Sequence, residues 1–182
     1  MTVEILENGF HVEGRRMDFV SGEFHYWRVK RENWPKILSR LKALGIRMVS
    51  TYVPWNFHLT DHGFDFEGGT DAQRDLRGFI RLVGKGGFKM LLRPGPYIYA
   101  EWAFAGAPEH AFKHHKLSEE FRQMAADYIH AVCESCVVPN LATRGGPILA
   151  VQVDNEIDPW VRFYSDQMGL SGGQGPFKDY LT

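Results

Sequence analysis

The sequence predicts an α/β protein whose parallel sheet is covered by helices. Three apolar runs of strand length support this, at residues 46–53, 88–92 and 148–153. Runs that are apolar throughout suit strands buried on both faces. Segments with helical periodicity separate them, and this alternation is the βαβ repeat of an α/β protein. No boundary between domains is visible within residues 1–182.

Ahead of the first helix the chain is predicted to form short strands. A glycine-containing turn within residues 10–17 predicts a hairpin, and extended chain continues to Phe24. The first helix is predicted from apolar residues spaced i, i+3, i+4, i+7 and i+10, which are Trp34, Ile37, Leu38, Leu41 and Leu44. Pro35 lies in its first turn and Gly45 just past its end, where each residue type is favoured.

Two further helices follow the same pattern. The second carries Leu76, Phe79, Ile80 and Val83 on one face. Thr70 and Gln73 suit a capping box at its start. The third begins after Ser118, a favoured N-cap residue, and its apolar stripe is Phe121, Met124, Ala125, Tyr128, Ile129 and Val132. Residues 176–181 read as one opening turn of another helix, so we expect the chain to be a truncated piece of something longer.

Composition excludes several function classes. Of the 182 residues 44% are hydrophobic and 24% charged, and the net charge is −1, so neither a disordered chain nor a nucleic-acid partner is expected. No apolar run is long enough to cross a membrane. The N-terminus lacks the pattern of a secretory signal, so we expect a cytoplasmic protein. Two cysteines exclude a disulfide scaffold.

Polar and aromatic side chains follow the apolar runs. They occupy residues 52–56, 93–102 and 152–156. Ligands bind at the carboxyl ends of strands in α/β sheets and barrels. Carboxylates, amides and flat aromatic faces at one edge suit a sugar. Polar groups bind its hydroxyl groups, aromatic faces pack against its C–H surface, and a carboxyl group transfers the proton.

The segment Gly145–Ile157 resembles the signature of the glycoside hydrolase family 35 β-galactosidases. In that signature Gly-Gly-Pro precedes aliphatic residues, Gln, and then Glu-Asn-Glu with an aromatic residue. Three further segments agree with the family and occur in the right order, namely Ser21–Tyr26, Tyr52–Asn56 and Arg93–Trp102. The resemblance extends from about residue 9 to the end of the chain.

The resemblance implies a (β/α)8 TIM barrel, of which this chain would hold the N-terminal half after its short β-hairpin. Residues 1–182 would then form a partial catalytic domain of about four βα units. The implied activity is retaining exo-hydrolysis of terminal non-reducing β-D-galactosides, with a β-galactoside or related oligosaccharide as substrate. No cofactor or metal is expected, and assembly into a homo-oligomer stays open.

The resemblance also implies roles for individual residues. Glu156 corresponds to the acid/base, and Asn155 to the amide that contacts the sugar's 2-hydroxyl group. Tyr99, Ala100 and Glu101 match positions that bind galactose hydroxyl groups, and Tyr52 matches a sugar-contacting tyrosine. The family's nucleophile lies on a later strand outside this chain, so the fragment alone is expected to be inactive.

Some positions depart from the family pattern. Asp154 replaces a glutamate, Ile157 replaces the aromatic residue, Tyr99 stands where many members have Cys or Asn, and Ala103–Gly106 replaces Asp-Phe-Gly-Gly. These changes leave the sugar open, so an exo-β-glucosaminidase on the same barrel is the first alternative. A non-catalytic carbohydrate-binding remnant is the second.

Several residues also have plain structural interpretations. Glu156 could be a surface carboxylate, and Glu101 could form an ion pair with Arg93 or a catalytic pair with Glu156. Trp27, Trp55 and Trp102 could stack on sugar or fill the barrel mouth. His110, His114 and His115 lack the glutamate of a zinc-protease motif and are expected on the surface, and Cys133 and Cys136 are expected as free thiols.

Overall fold

The computed structural model of the chain describes residues 2–7, 9–18 and 20–156. Its strands are β1 (Val3–Leu6), β2 (Gly9–Val12), β3 (Arg15–Arg16), β4 (Ser21–Glu23), β5 (Met48–Tyr52), β6 (Leu59–Thr60), β7 (Gly63–Phe64), β8 (Lys89–Gly95) and β9 (Ile148–Val153). Its α-helices are α1 (Trp34–Ala43), α2 (Trp55–His58), α3 (Leu76–Lys85), α4 (Glu109–Phe112) and α5 (Glu119–Val132). Position 157 and the predicted helix start at residues 176–181 lie outside the described residues.

Four strands form one parallel sheet in the order β4, β5, β8, β9. Helical chain connects each neighbouring pair, so the predicted α/β alternation is confirmed. Tyr52 pairs with Arg93, and Gly95 pairs with Val153. Because all four strands run the same way, their carboxyl ends form one edge of the sheet.

A separate antiparallel sheet precedes the parallel one. Strand β2 pairs with β1 on one side and with β3 on the other. The turn between β2 and β3 places Gly14 at φ 69°, in the left-handed region that glycine adopts without steric cost. The hairpin predicted within residues 10–17 is therefore confirmed, and β1 extends it to three strands.

The helix ends follow local hydrogen bonding. Gly45 lies just past α1 at φ 85°, as predicted, whereas Leu44 falls outside the helix and is exposed. The capping box predicted at Thr70 and Gln73 is wrong. Helix α3 begins instead after Asp75, whose carboxylate accepts the Gly78 N–H at 2.7 Å.

The residues before α3 explain this difference. The Thr70 N–H and hydroxyl both donate to the Asp65 carboxylate, at 2.7 and 2.6 Å. The Gln73 N–H donates to Asp71 at 2.8 Å and starts a separate 3-10 turn. The predicted cap of α5 is confirmed, because Ser118 Oγ accepts the Phe121 N–H at 3.2 Å.

Helices α1 and α3 form an aromatic core together with the residues that follow β4. The Phe79 ring lies 5.1 Å from that of Tyr26, 5.3 Å from that of Phe24 and 5.3 Å from that of Trp34. All four side chains are buried. Aromatic pairs at such separations contribute beyond their buried area, so this cluster is a major source of stability.

None of the helices in the described part of the chain combines the length and apolar character needed to cross a bilayer.

Cys133 and Cys136 are free thiols, as predicted, and they lie in a π-helical turn that continues α5. Burial raises the pKa of the Cys136 thiol to about 12, so it stays protonated at neutral pH.

Candidate active site

Polar side chains from all four parallel strands meet at the carboxyl edge of the sheet. Glu23 ends β4, Tyr52 ends β5, Arg93 lies near the end of β8, and Asn155 follows β9. We call these four residues the rim cluster. Their convergence follows from the parallel register of the sheet, which aligns strand ends that are far apart in sequence.

The side-chain amide of Asn155 is held by several hydrogen bonds. Its Oδ1 accepts from the Tyr52 hydroxyl at 3.0 Å, from Arg93 Nη2 at 3.1 Å and from Gln152 Nε2 at 3.2 Å. Its Nδ2 donates one hydrogen to the Ile98 carbonyl oxygen at 3.2 Å. Since three donors surround the oxygen, the amide has one orientation, and among the described residues its second N–H is open to another partner.

Arg93 joins the rest of the rim cluster. Its Nη1 lies 2.7 Å from Glu23 Oε1, and its guanidinium lies 3.7 Å from the centre of the Tyr52 ring. The sequence allowed an ion pair between Arg93 and Glu101. Among the described residues that pair is absent, because Arg93 is engaged with Glu23 and Asn155.

Glu156 follows the rim cluster directly and is exposed at the carboxyl edge. It has φ 52°, and Asp154 has φ 60°, so two of the three residues that follow β9 are left-handed. Burial raises the pKa of the Tyr52 hydroxyl, and the charges of Glu23 and Glu156 act in the same direction, whereas Arg93 opposes them. The carboxylate of Glu156 therefore acts electrostatically on the rim cluster.

The loop after β8 holds the other predicted sugar-binding residues in an unusual backbone conformation. Tyr99, Ala100 and Glu101 have φ of 52°, 48° and 46°. Such left-handed residues cost of order 1–3 kcal/mol each and persist only where the surroundings hold them. Here the Ala100 carbonyl oxygen accepts a hydrogen bond from Arg28, and the Tyr99 carbonyl oxygen accepts from the Trp102 N–H at 2.9 Å.

The three candidate tryptophans have different places. Trp55 is buried and stacked on Tyr128, with ring centres 5.2 Å apart, so it belongs to the core. The ring centres of Trp27 and Trp102 lie 4.6 Å apart, and of these two side chains only Trp102 is partly exposed. Trp102 Nε1 also donates to Asn56 Oδ1 at 2.8 Å.

Sequence reasoning assigned no site role to several polar residues in and around the rim cluster. Glu23 is one, although its place at a strand end is the kind of signal that identified Tyr52. His25 is another, with its ring stacked on Trp27 at 5.1 Å. Burial lowers the pKa of His25, while Glu23 and Glu101 oppose the shift.

Lys116 was also missed, and no sequence signal points to it. Its Nζ lies 2.5 Å from Asp154 Oδ2. The Asp154 side chain is 0% exposed and that of Lys116 is 15% exposed, so this ion pair is largely excluded from water.

No group of three metal-binding side chains occurs within the described residues. His110, His114 and His115 are exposed, as predicted.

Comparison with known proteins adds the decisive observation. Residues 9–170 match the model of the family described as glycosyl hydrolases family 35. This chain belongs to glycosyl hydrolase family 35. The resemblance inferred from the four motifs is thereby confirmed.

Individual relatives match most of the chain. The chain is 38% identical to a β-galactosidase of Felis catus over 181 residues, which are 96% of this chain and 26% of that protein. It is 37% identical to a β-galactosidase of Homo sapiens over 161 residues, 85% of this chain and 23% of that protein. An exo-β-D-glucosaminidase of Thermococcus kodakarensis is 33% identical over 180 residues, 87% of this chain and 23% of that protein. The family 35 chain thus spans about a quarter of the length of these relatives.

Solved structures of glycosidases share the fold. An endo-1,4-β-mannanase of Rhizomucor miehei matches with a TM-score of 0.64 and 15% identity, covering 86% of this chain and 48% of that chain. A β-galactosidase of Marinomonas ef1 matches with a TM-score of 0.52 and 16% identity, covering 75% of this chain and 21% of that chain. The predicted fold class, part of a (β/α)8 barrel, is confirmed.

Proposed function

We propose that the enzyme containing this chain is a retaining exo-β-galactosidase in which Glu156 is the acid/base. The observation that carries the proposal is the position of Glu156. It is an exposed carboxylate at the carboxyl edge of the sheet, next to the fixed amide of Asn155. Active sites of barrel enzymes lie at this edge, and a proton donor there can reach the oxygen of a bound glycoside.

The proposed reaction has two steps. In the first, a nucleophilic carboxylate outside this chain attacks the anomeric carbon while Glu156 protonates the departing oxygen, and the glycosidic C–O bond breaks. In the second, Glu156 takes a proton from water, whose oxygen attacks the glycosyl-enzyme and releases the sugar with its original configuration. Because the proposed nucleophile lies outside this chain, we expect the 182-residue chain alone to be inactive.

The orientation of Asn155 favours a sugar with a 2-hydroxyl group. Its amide oxygen is occupied by Tyr52, Arg93 and Gln152, so only an N–H can face the substrate. A hydroxyl oxygen accepts such a hydrogen bond, whereas a protonated amine has no lone pair to do so. This favours β-galactosides over β-glucosaminides. Tyr52, Tyr99, Ala100 and Glu101 are proposed to contact the remaining hydroxyl groups.

An exo-β-glucosaminidase is the second candidate. The relative from Thermococcus kodakarensis carries that name, and Glu23, Glu101 and Glu156 would attract an ammonium group. Hydrolysis of 4-nitrophenyl β-galactoside and 4-nitrophenyl β-glucosaminide by the full-length enzyme separates the two. Turnover of the glucosaminide alone would replace the galactosidase proposal.

Substitution Glu156→Gln in the full-length enzyme tests the acid role. We expect kcat/KM on lactose to fall by roughly 10²–10⁴-fold, because an alkoxide leaving group needs protonation. The first step with 2,4-dinitrophenyl β-galactoside needs little acid assistance, so kcat/KM for that substrate should fall much less.

Glu109→Gln, at an exposed carboxylate on α4, is the matched control and should leave both substrates unaffected. An unchanged kcat/KM on lactose for Glu156→Gln would refute the assignment. A non-catalytic binding protein would bind galactose but hydrolyse neither substrate even as wild-type full-length chain.

A further inference from the structure

The ion pair between Lys116 and Asp154 links the end of β9 to the helical layer. Lys116 lies between α4 and the N-cap of α5, and its ammonium group lies 4.9 Å from the centre of the Tyr97 ring. Asp154 directly precedes Asn155 and Glu156. The pair therefore joins a helix connection to the residues that the proposed function depends on.

Asp154 is held on several sides. Its N–H donates to the Gly95 carbonyl oxygen at 2.6 Å, and its own carbonyl oxygen accepts from Gln152 Nε2 at 3.1 Å. One carboxylate oxygen accepts the Asn155 N–H at 2.9 Å, and the other lies 2.5 Å from Lys116 Nζ. One carboxylate thus connects the lysine to the backbone of Asn155.

The backbone at this point needs such support. Asp154 and Glu156 both have left-handed φ, which non-glycine residues adopt only when their surroundings hold them. The side chain of Glu156 is exposed, so packing of its own side chain does not fix its direction. Its orientation depends instead on the backbone that Asp154 anchors.

We propose that Lys116 is a positioning residue for the acid/base, acting through Asp154 on the backbone of Asn155 and Glu156. Lys116 itself does not touch the substrate. Loss of the lysine removes this ion pair from the Asp154 carboxylate and weakens the attachment of the chain that follows β9. A displacement of about 1 Å in a reacting group can reduce turnover by roughly 100-fold.

This inference rests on the proposed function, and it predicts a specific dependence on the leaving group. In the full-length enzyme, Lys116→Met should reduce kcat on lactose by roughly 10–100-fold. With 2,4-dinitrophenyl β-galactoside, kcat/KM reports the first step and should fall no more than about threefold, since that step depends little on the acid. A loss of folded enzyme alone would lower both rates equally.

Two further variants separate positioning from stability. Lys116→Arg keeps the charge and should restore most of the activity on lactose. The double variant Lys116→Met/Asp154→Asn leaves no unpaired buried charge, so it should fold even if the single variant does not. It should still show the leaving-group-dependent loss, because the ion pair to the connection between α4 and α5 is gone.

Lys113→Met is the matched control. Lys113 forms an exposed ion pair with Glu109 at 2.9 Å, three residues before Lys116, and its loss should leave both substrates unaffected.

Two results would overturn the proposal in different ways. Equal losses on both substrates, or none, in Lys116→Met and the double variant would overturn the positioning role while Glu156→Gln still behaves as an acid variant. Absence of leaving-group dependence in Glu156→Gln itself would overturn the proposed function, and the positioning role with it.

Discussion

The aromatic core around Phe79 and the carboxyl edge of the sheet differ in burial, polarity and backbone conformation. In the core around Phe79, aromatic rings are buried, and Trp34 and Phe79 lie on regular α-helices. At the carboxyl edge, left-handed residues, ion pairs and a fixed amide lie beside exposed carboxylates. The comparison teaches that the core supplies the stability that holds strained, polar chain ends in place.

The largest expected effect is on stability and comes from the core. Substitution Phe79→Ala in the full-length enzyme removes a ring that contacts Phe24, Tyr26 and Trp34. It should lower the free energy of unfolding by about 3–5 kcal/mol, because the substitution leaves a cavity in the core. Thermal unfolding measures the loss, and activity per folded molecule should stay within about twofold. A large loss of activity in folded enzyme would break the division between core and edge.

The next effect is a pH dependence of stability from a polar residue within the core. His58 is fully buried, and burial lowers its pKa from 6.5 to about 4. The unfolded chain therefore binds the proton more readily than the folded chain. Stability from this group is present above pH 6.5 and is lost as the pH falls toward about 4, by about 3 kcal/mol in total.

The hydrogen bonds of His58 fit the neutral form. Its Nε2 lies 2.5 Å from the Tyr26 hydroxyl, and its Nδ1 lies 2.6 Å from the Asp65 carbonyl oxygen. Unfolding measured between pH 4 and 7 should have a smaller slope in His58→Gln than in wild type. His110→Gln, at an exposed histidine, should keep the wild-type slope, and an unchanged slope in His58→Gln would contradict the assignment.

The smallest stability effects come from a matched pair of tyrosines. The Tyr128 hydroxyl donates to the Val53 carbonyl oxygen at 2.7 Å in the core, and that of Tyr52 donates to Asn155 at 3.0 Å in the rim cluster. Tyr128→Phe should cost about 1–3 kcal/mol, since it leaves a buried acceptor without its donor. Tyr52→Phe should cost about 0.5–1.5 kcal/mol, since Asn155 keeps two other donors.

Activity should reverse the order of these two variants. Tyr52→Phe should lower kcat/KM for β-galactosides, because it removes a hydrogen bond to the Asn155 amide and the proposed contact with the sugar, while Tyr128→Phe should leave it unchanged. Steady-state kinetics on folded protein provides the comparison. Equal activity in the two variants would show that the rim cluster is structural only.

Three of the four strands of the parallel sheet were predictable from sequence, because residues 46–53, 88–92 and 148–153 are apolar runs separated by helical segments. The start of α3 was not, because Asp65, Asp71 and Asp75 each accept a different backbone N–H of this segment, and spacing alone does not decide which carboxylate each N–H reaches. Local patterns predict elements well where one interaction dominates.

The rim cluster was predictable only in part. Tyr52 and Asn155 are found from strand ends and motifs, but their hydrogen bond joins residues 103 positions apart. The pair of Lys116 and Asp154 has no local signature, since the lysine lies in an irregular connection and its partner follows a strand. Such contacts depend on the folded arrangement of distant segments.

The central claim, that Glu156 is the acid/base of a retaining glycosidase, is tested most directly by azide rescue of Glu156→Gln. With 2,4-dinitrophenyl β-galactoside the full-length variant should accumulate the glycosyl-enzyme, because water attacks slowly without a base. Azide needs no base, so it should accelerate turnover and yield β-galactosyl azide with retained configuration. Turnover insensitive to azide, or an α-configured product, would contradict the account.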